Sequence, residues 1–139
     1  MKENRGKIIE AIKEVMEKDE EILFAYLFGS VVHHHDVPEG DIDVGVYLRS
    51  SGMREFLRKE EILTATLVAR LHNDRIDLRI LNVSPFLLLY SVIKEGVPIF
   101  VRDEPERVEF ETRVMNRFFE LKPYLDEHRQ MVVSWIRAR

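Results

Sequence analysis

Short apolar runs of strand length alternate with longer stretches of helical period, and this alternation limits the fold more than any other feature of the chain. ILFAYLF at 22–28 is apolar and aromatic throughout, which suits a strand buried on both faces. IDVGVYL at 42–48 puts Ile42, Val44, Val46 and Leu48 on one face. RIDLRIL at 75–81 does the same with Ile76, Leu78 and Ile80, and VPIFV at 97–101 is a short fourth strand. Residues 3–18 carry Ile8, Ile12 and Val15 at helical spacing, and 53–71 carry Phe56, Leu57, Leu63, Leu67 and Leu71. Ser84 reads as an N-cap with Pro85 at N1 for a helix to about Glu95, closed by Gly96. Asp103 or Glu104, with Pro105, opens a long helical region to the C-terminus that Pro123 must kink or interrupt. Strands interleaved with helices predict an α/β domain, and the lack of repeats, low-complexity tracts or Pro/Gly-rich linkers predicts that residues 1–139 form a single one.

Composition then removes whole classes of function. There is no cysteine, hence no disulfide, thiolate zinc site or cysteine nucleophile, which fits a cytoplasmic protein. The N-terminus is charged throughout and has no apolar signal core. PFLLLY, the longest apolar run, falls far short of the roughly 20 residues that span a bilayer. A net charge of −4 leaves no basic surplus, so nucleic acid is not an expected partner.

Asp41 and Asp43 flank Ile42. In a strand, residues i and i+2 point the same way, so both carboxylates project together while Ile42 enters the core. Asp77 alternates with Ile76 and Leu78 and lies opposite them. If the two strands are neighbours, three carboxylates converge. Two unit charges 4 Å apart repel by about 4 kcal/mol at an effective dielectric near 20, so a divalent cation or raised pKa values must compensate. Oxygen-only ligands favour Mg²⁺ or Mn²⁺ over Zn²⁺. The plainer reading pairs Asp43 and Asp77 with arginines such as Arg75 or Arg79.

Gly29-Ser30 directly follows the first apolar run. Glycine permits a turn and the close approach of a ligand, and a serine hydroxyl near a helix start can hold a phosphate oxygen. A turn with a capping serine is the plainer alternative. Together the parts suit a metal-bound nucleoside triphosphate, with phosphate donors on one side and carboxylates on the other. Asp77 is the aspartate best placed to accept the attacking hydroxyl's proton.

Gly29-Ser30, ten intervening residues and Asp41-Ile42-Asp43 resemble the signature of minimal nucleotidyltransferases of the DNA polymerase β superfamily. DRIDLRILN supplies the third aspartate, and the stretch from Ser84 to Arg129 looks like the C-terminal half of MntA-type antitoxins. The resemblance implies a mixed β-sheet of about four strands flanked by helices. It implies an enzyme that takes ATP and Mg²⁺ and transfers AMP to tyrosine on a partner HEPN-domain ribonuclease toxin, with release of pyrophosphate. It also implies that Gly29 and Ser30 hold triphosphate, Asp41 and Asp43 bind metal, and Asp77 binds metal or acts as base. Many relatives carry arginine and then glycine a few residues after the Gly-Ser, where this chain has His33 and His34.

Neighbouring side chains diverge on any regular backbone, so His33, His34 and His35 cannot all face one ion. One of them, His33, is expected to approach the phosphates or the base. Phe24, Tyr26, Phe28 and Phe86 are expected in the core. Phe118, Phe119, Tyr124 and Trp135 either pack on the domain or form an aromatic face for a toxin or a second copy. Two other functions compete: a non-catalytic nucleotide-binding antitoxin acting by occlusion, and a small-molecule nucleotidyltransferase. Three retained aspartates favour the enzyme over the occluding binder, and the short chain argues against the small-molecule enzyme.

Overall fold

The computed structural model describes residues 5–29, 41–49 and 51–137. In chain order they form α1 (Arg5–Glu17), β1 (Ile22–Phe28), β2 (Ile42–Leu48), α2 (Met53–Leu71), β3 (Ile76–Ile80), a 3₁₀ turn (Leu81–Val83), α3 (Phe86–Glu95), β4 (Val97–Val101), α4 (Glu104–Glu127) and α5 (Arg129–Arg137). The strands make a mixed sheet in the order β3-β2-β1-β4. β1 is antiparallel to both β2 and β4, and β2 is parallel to β3 across the α2 connection. The expected α/β architecture and all four strands are present. Among the described residues, no helix is long and apolar enough to cross a membrane.

Sheet position explains the sequence patterns. β1 is central and covered on both faces, so all seven of its residues are buried and no polar alternation appears. On one face Ile42, Val44 and Val46 pack with Ile8, Ile12 and Met16 of α1 and Phe56, Leu63 and Leu67 of α2. On the other, Phe24, Tyr26 and Phe28 pack with Leu88 and Val92 of α3 and Phe110 and Val114 of α4. β3 lies at an edge and alternates buried and half-buried residues. The C-terminus of α1 is tied to this framework by Arg102. Its guanidinium donates to the carbonyls of Met16, Glu17, Asp19 and Ile22 at 2.9–3.3 Å, a cation at the negative end of a helix.

Several local expectations need correction. Leu57 is 54% exposed, because the stripe of α2 that meets the sheet runs through Phe56, Leu63 and Leu67 instead. Ser84 does not cap α3. Its hydroxyl donates to the Ile80 carbonyl at 2.8 Å, closing the preceding 3₁₀ turn, and Pro85 takes the N-cap position. Of the two expectations for Pro123, a kink or an interruption, the interruption does not occur: α4 runs on to Glu127. The residue is exposed, so the carbonyl it deprives of a partner can be solvated. Asp103 is the N-cap of α4, accepting from the Glu106 N–H at 3.1 Å. The C-terminal aromatics divide. Phe118 stacks on Tyr90 at 4.4 Å and Trp135 packs on the second core, whereas Phe119 and Tyr124 are 62% and 66% exposed.

One polar group is buried deep in the second core. The Tyr26 hydroxyl donates to Glu111, which Arg107 also engages at 2.6 Å. Burial first, and Glu111 second, push the Tyr26 phenol far above its ordinary range. The folded-state pKa therefore exceeds the unfolded value of about 10. The stability this group contributes is fully present below pH 10 and is lost as pH rises beyond it. Urea unfolding should show the wild type losing stability between pH 10 and 11 more steeply than Tyr26→Phe. Parallel pH dependences in the two proteins would contradict this linkage.

Candidate active site

The strand register assembles the acidic residues. Phe28 at the end of β1 stands opposite Asp43, and Asp43 stands beside Asp77 on β3. Ile42 is 1% exposed and faces the first core, so Asp43 projects from the other face, as does its neighbour Asp77. Asp43 is 8% exposed, whereas the Asp77 side chain is 40% exposed. Asp41 is exposed and lies just ahead of β2 rather than within it. Ser30 and His33 to His35 lie outside the described residues.

Gly29 is fixed by this arrangement. Its φ is +80°, a left-handed conformation that side chains disfavour. A Cβ there would stand 2.0 Å from Asp43 Oδ2 and 3.0 Å from Asp43 Cγ. The sequence suggested that this glycine admits a ligand. In the structure the group pressed against it is Asp43, so one glycine both turns the chain and seats a carboxylate.

Asp77 Oδ1 accepts from Arg79 Nε at 3.0 Å. The plainer sequence reading therefore holds for Asp77 and Arg79. Lys94 lies over the Tyr90 ring with Nζ 3.3 Å from its hydroxyl. Among the described residues, no group of three or more His, Cys, Asp or Glu side chains is gathered closely enough to hold a metal ion. The donor set nonetheless fits a hard cation: the two carboxylates in register are adjacent, all donors are oxygens, and Asp43 is seated in a glycine cradle that a Cβ would fill. Arg79 is one of the two arginines that the sequence offers as a partner for Asp77. The signal available was its i, i+2 spacing from Asp77, which puts the two side chains on one face.

A mixed sheet with paired aspartates at the end of a glycine turn is the framework of a nucleotidyltransferase. The Polymerase beta nucleotidyltransferase family model matches residues 10–105, and the chain belongs to that family. No curated protein matches the chain. Among solved structures, a complex of tri-AMPylated Shewanella oneidensis HEPN toxin with MNT antitoxin is similar over 92% of this chain and 98% of the matched one, with 18% identity and a TM-score of 0.68. A toxin–antitoxin structure with AMP-PNP gives 18% identity and a TM-score of 0.72, covering 90% of this chain and 98% of that one. The MntA-HepT toxin–antitoxin structure gives 17% identity and a TM-score of 0.68, covering 93% and 99%. At these identities the likeness is one of fold.

Proposed function

We propose that this chain is an antitoxin that silences a HEPN-type ribonuclease toxin by transferring AMP from ATP to a tyrosine hydroxyl of that partner, in the cytoplasm. The observation that carries the reading is the register of Asp43 with Asp77 beside the turn at Gly29, in a chain of this family. Support comes from the neighbouring folds, one crystallised with a tri-AMPylated HEPN toxin and another with AMP-PNP.

Each group has a definable task. Gly29 and Ser30 hold the triphosphate, and His33 contacts the phosphates or the base. Asp41, Asp43 and Asp77 would hold Mg²⁺ or Mn²⁺, which when bound neutralises charge on the phosphates. The tyrosine oxygen attacks the α-phosphorus in line, a new P–O bond forms, and the bond to the bridging oxygen breaks to release pyrophosphate. The phenolic proton passes to the Asp77 carboxylate, which is half-exposed and reachable by an incoming hydroxyl. The buried Asp43 sits in the space that a Cβ at Gly29 would fill.

Labelled ATP tests this reaction class. With the label on the α-phosphate, the partner should become labelled; with the label on the γ-phosphate, it should not. Labelling from the γ position would mean phosphoryl transfer, and labelling from neither would mean the chain acts by binding alone.

A further inference from the structure

We propose that Arg79 is an exchangeable counter-ion of Asp77: it holds that carboxylate until a divalent cation takes it over, and its guanidinium then engages an anionic oxygen of the nucleotide. The proposal rests on the reading of Asp77 as a metal-site carboxylate. Four observations carry it. The contact uses Arg79 Nε and one carboxylate oxygen, leaving both Nη groups without a partner among the described residues. Those groups form the planar fork that suits a phosphate. Both side chains of the pair are 40% exposed, so the pair is accessible and held only weakly. Arg79 stands in register with Gly45, but the space a Cβ would fill there is occupied by Leu81, whose Cδ2 would be 2.8 Å away. Leu81 thus fills the space beside Gly45, and the Arg79 guanidinium pairs with Asp77. Finally, β3 is an edge strand, so among the described residues no further strand walls in the outer side of Arg79.

An arginine that only braced the strand would, on removal, lower all affinities slightly or none. A counter-ion exchanged between two charged ligands gives effects of opposite sign. Removing it takes a positive charge away from the cation's carboxylate and a donor away from the nucleotide. In Arg79→Gln, Mn²⁺ binding to the protein alone, read from the loss of the free-ion EPR signal, should tighten about fivefold, the scale of one unit charge a few ångströms away in an exposed setting. Binding of ATP at saturating Mg²⁺, followed by calorimetry, should weaken about tenfold. Arg79→Lys keeps the charge and loses the fork, so its Mn²⁺ affinity should match the wild type while its ATP affinity falls between the other two. Mn²⁺ affinity that is unchanged or lower in Arg79→Gln, or ATP affinity that is unchanged, overturns the proposal. The Asp43→Asn variant separates the two levels. If it weakens Mn²⁺ binding while Arg79→Gln alters neither ligand, only the role of Arg79 falls. If Asp43→Asn leaves Mn²⁺ binding intact, the metal-site reading falls and the counter-ion role with it.

Discussion

Gly29→Ala should lower AMP transfer at least about 100-fold while costing the fold only about 2 kcal/mol. Two strains add at this position. The left-handed φ of +80° disfavours any Cβ, by about 1–2 kcal/mol for alanine. The new methyl would also stand 2.0 Å from Asp43 Oδ2. Moving the ends of β1 and β2 apart would break a sheet packed on both faces, whereas rotating the Asp43 carboxylate would not. The cheaper relief therefore displaces the very group the site needs. Misplacing a reacting or ligating group by about 1 Å can cost 100-fold, which sets the size of the expected loss. Gly52→Ala is the matched control, because a Cβ there meets nothing within 4 Å. Urea midpoints and transfer rates for both variants check the prediction. A Gly29→Ala protein that transfers AMP within about threefold of wild type would show that Asp43 need not sit where it does.

The second large effect belongs to the carboxylates. Asp41→Asn/Asp43→Asn should abolish transfer, by about 1,000-fold or more, with the fold retained. Asparagine has the shape of aspartate, so the close fit of Asp43 against Gly29 survives. What disappears is charge, and with it the repulsion between Asp43 and its neighbour Asp77. Far-UV circular dichroism and a urea midpoint near that of the wild type would separate lost chemistry from lost structure.

The strands were legible because each is short, apolar and bounded, and α2 because its period is long enough to average over exceptions. The pairing of Asp43 with Asp77 was only conditional in the sequence. Alternation places each carboxylate on a face, but strand order makes them neighbours, and order is a tertiary property. The local misreadings share that origin. Leu57 has helical spacing, yet α2 is rotated so that this residue meets solvent. Ser84 has the chemistry of a cap, but the Ile80 carbonyl competes for its hydroxyl. Pro123 can stand inside α4 because that part of the helix is solvated. Gly29 reads in the sequence as a turn that lets a ligand approach, whereas in the structure the group beside it is Asp43, which strand pairing brings there. Ser30 and His33, by contrast, lie outside the described residues, and their roles rest on the motif alone.

Intact-mass spectrometry of the HEPN-type partner, after incubation with this chain, ATP and Mg²⁺, tests the central claim most directly. The account predicts that the partner gains one or more AMP units on tyrosine with the wild type and none with Asp41→Asn/Asp43→Asn. An unmodified partner with the wild type, or equal modification by the two proteins, would contradict it.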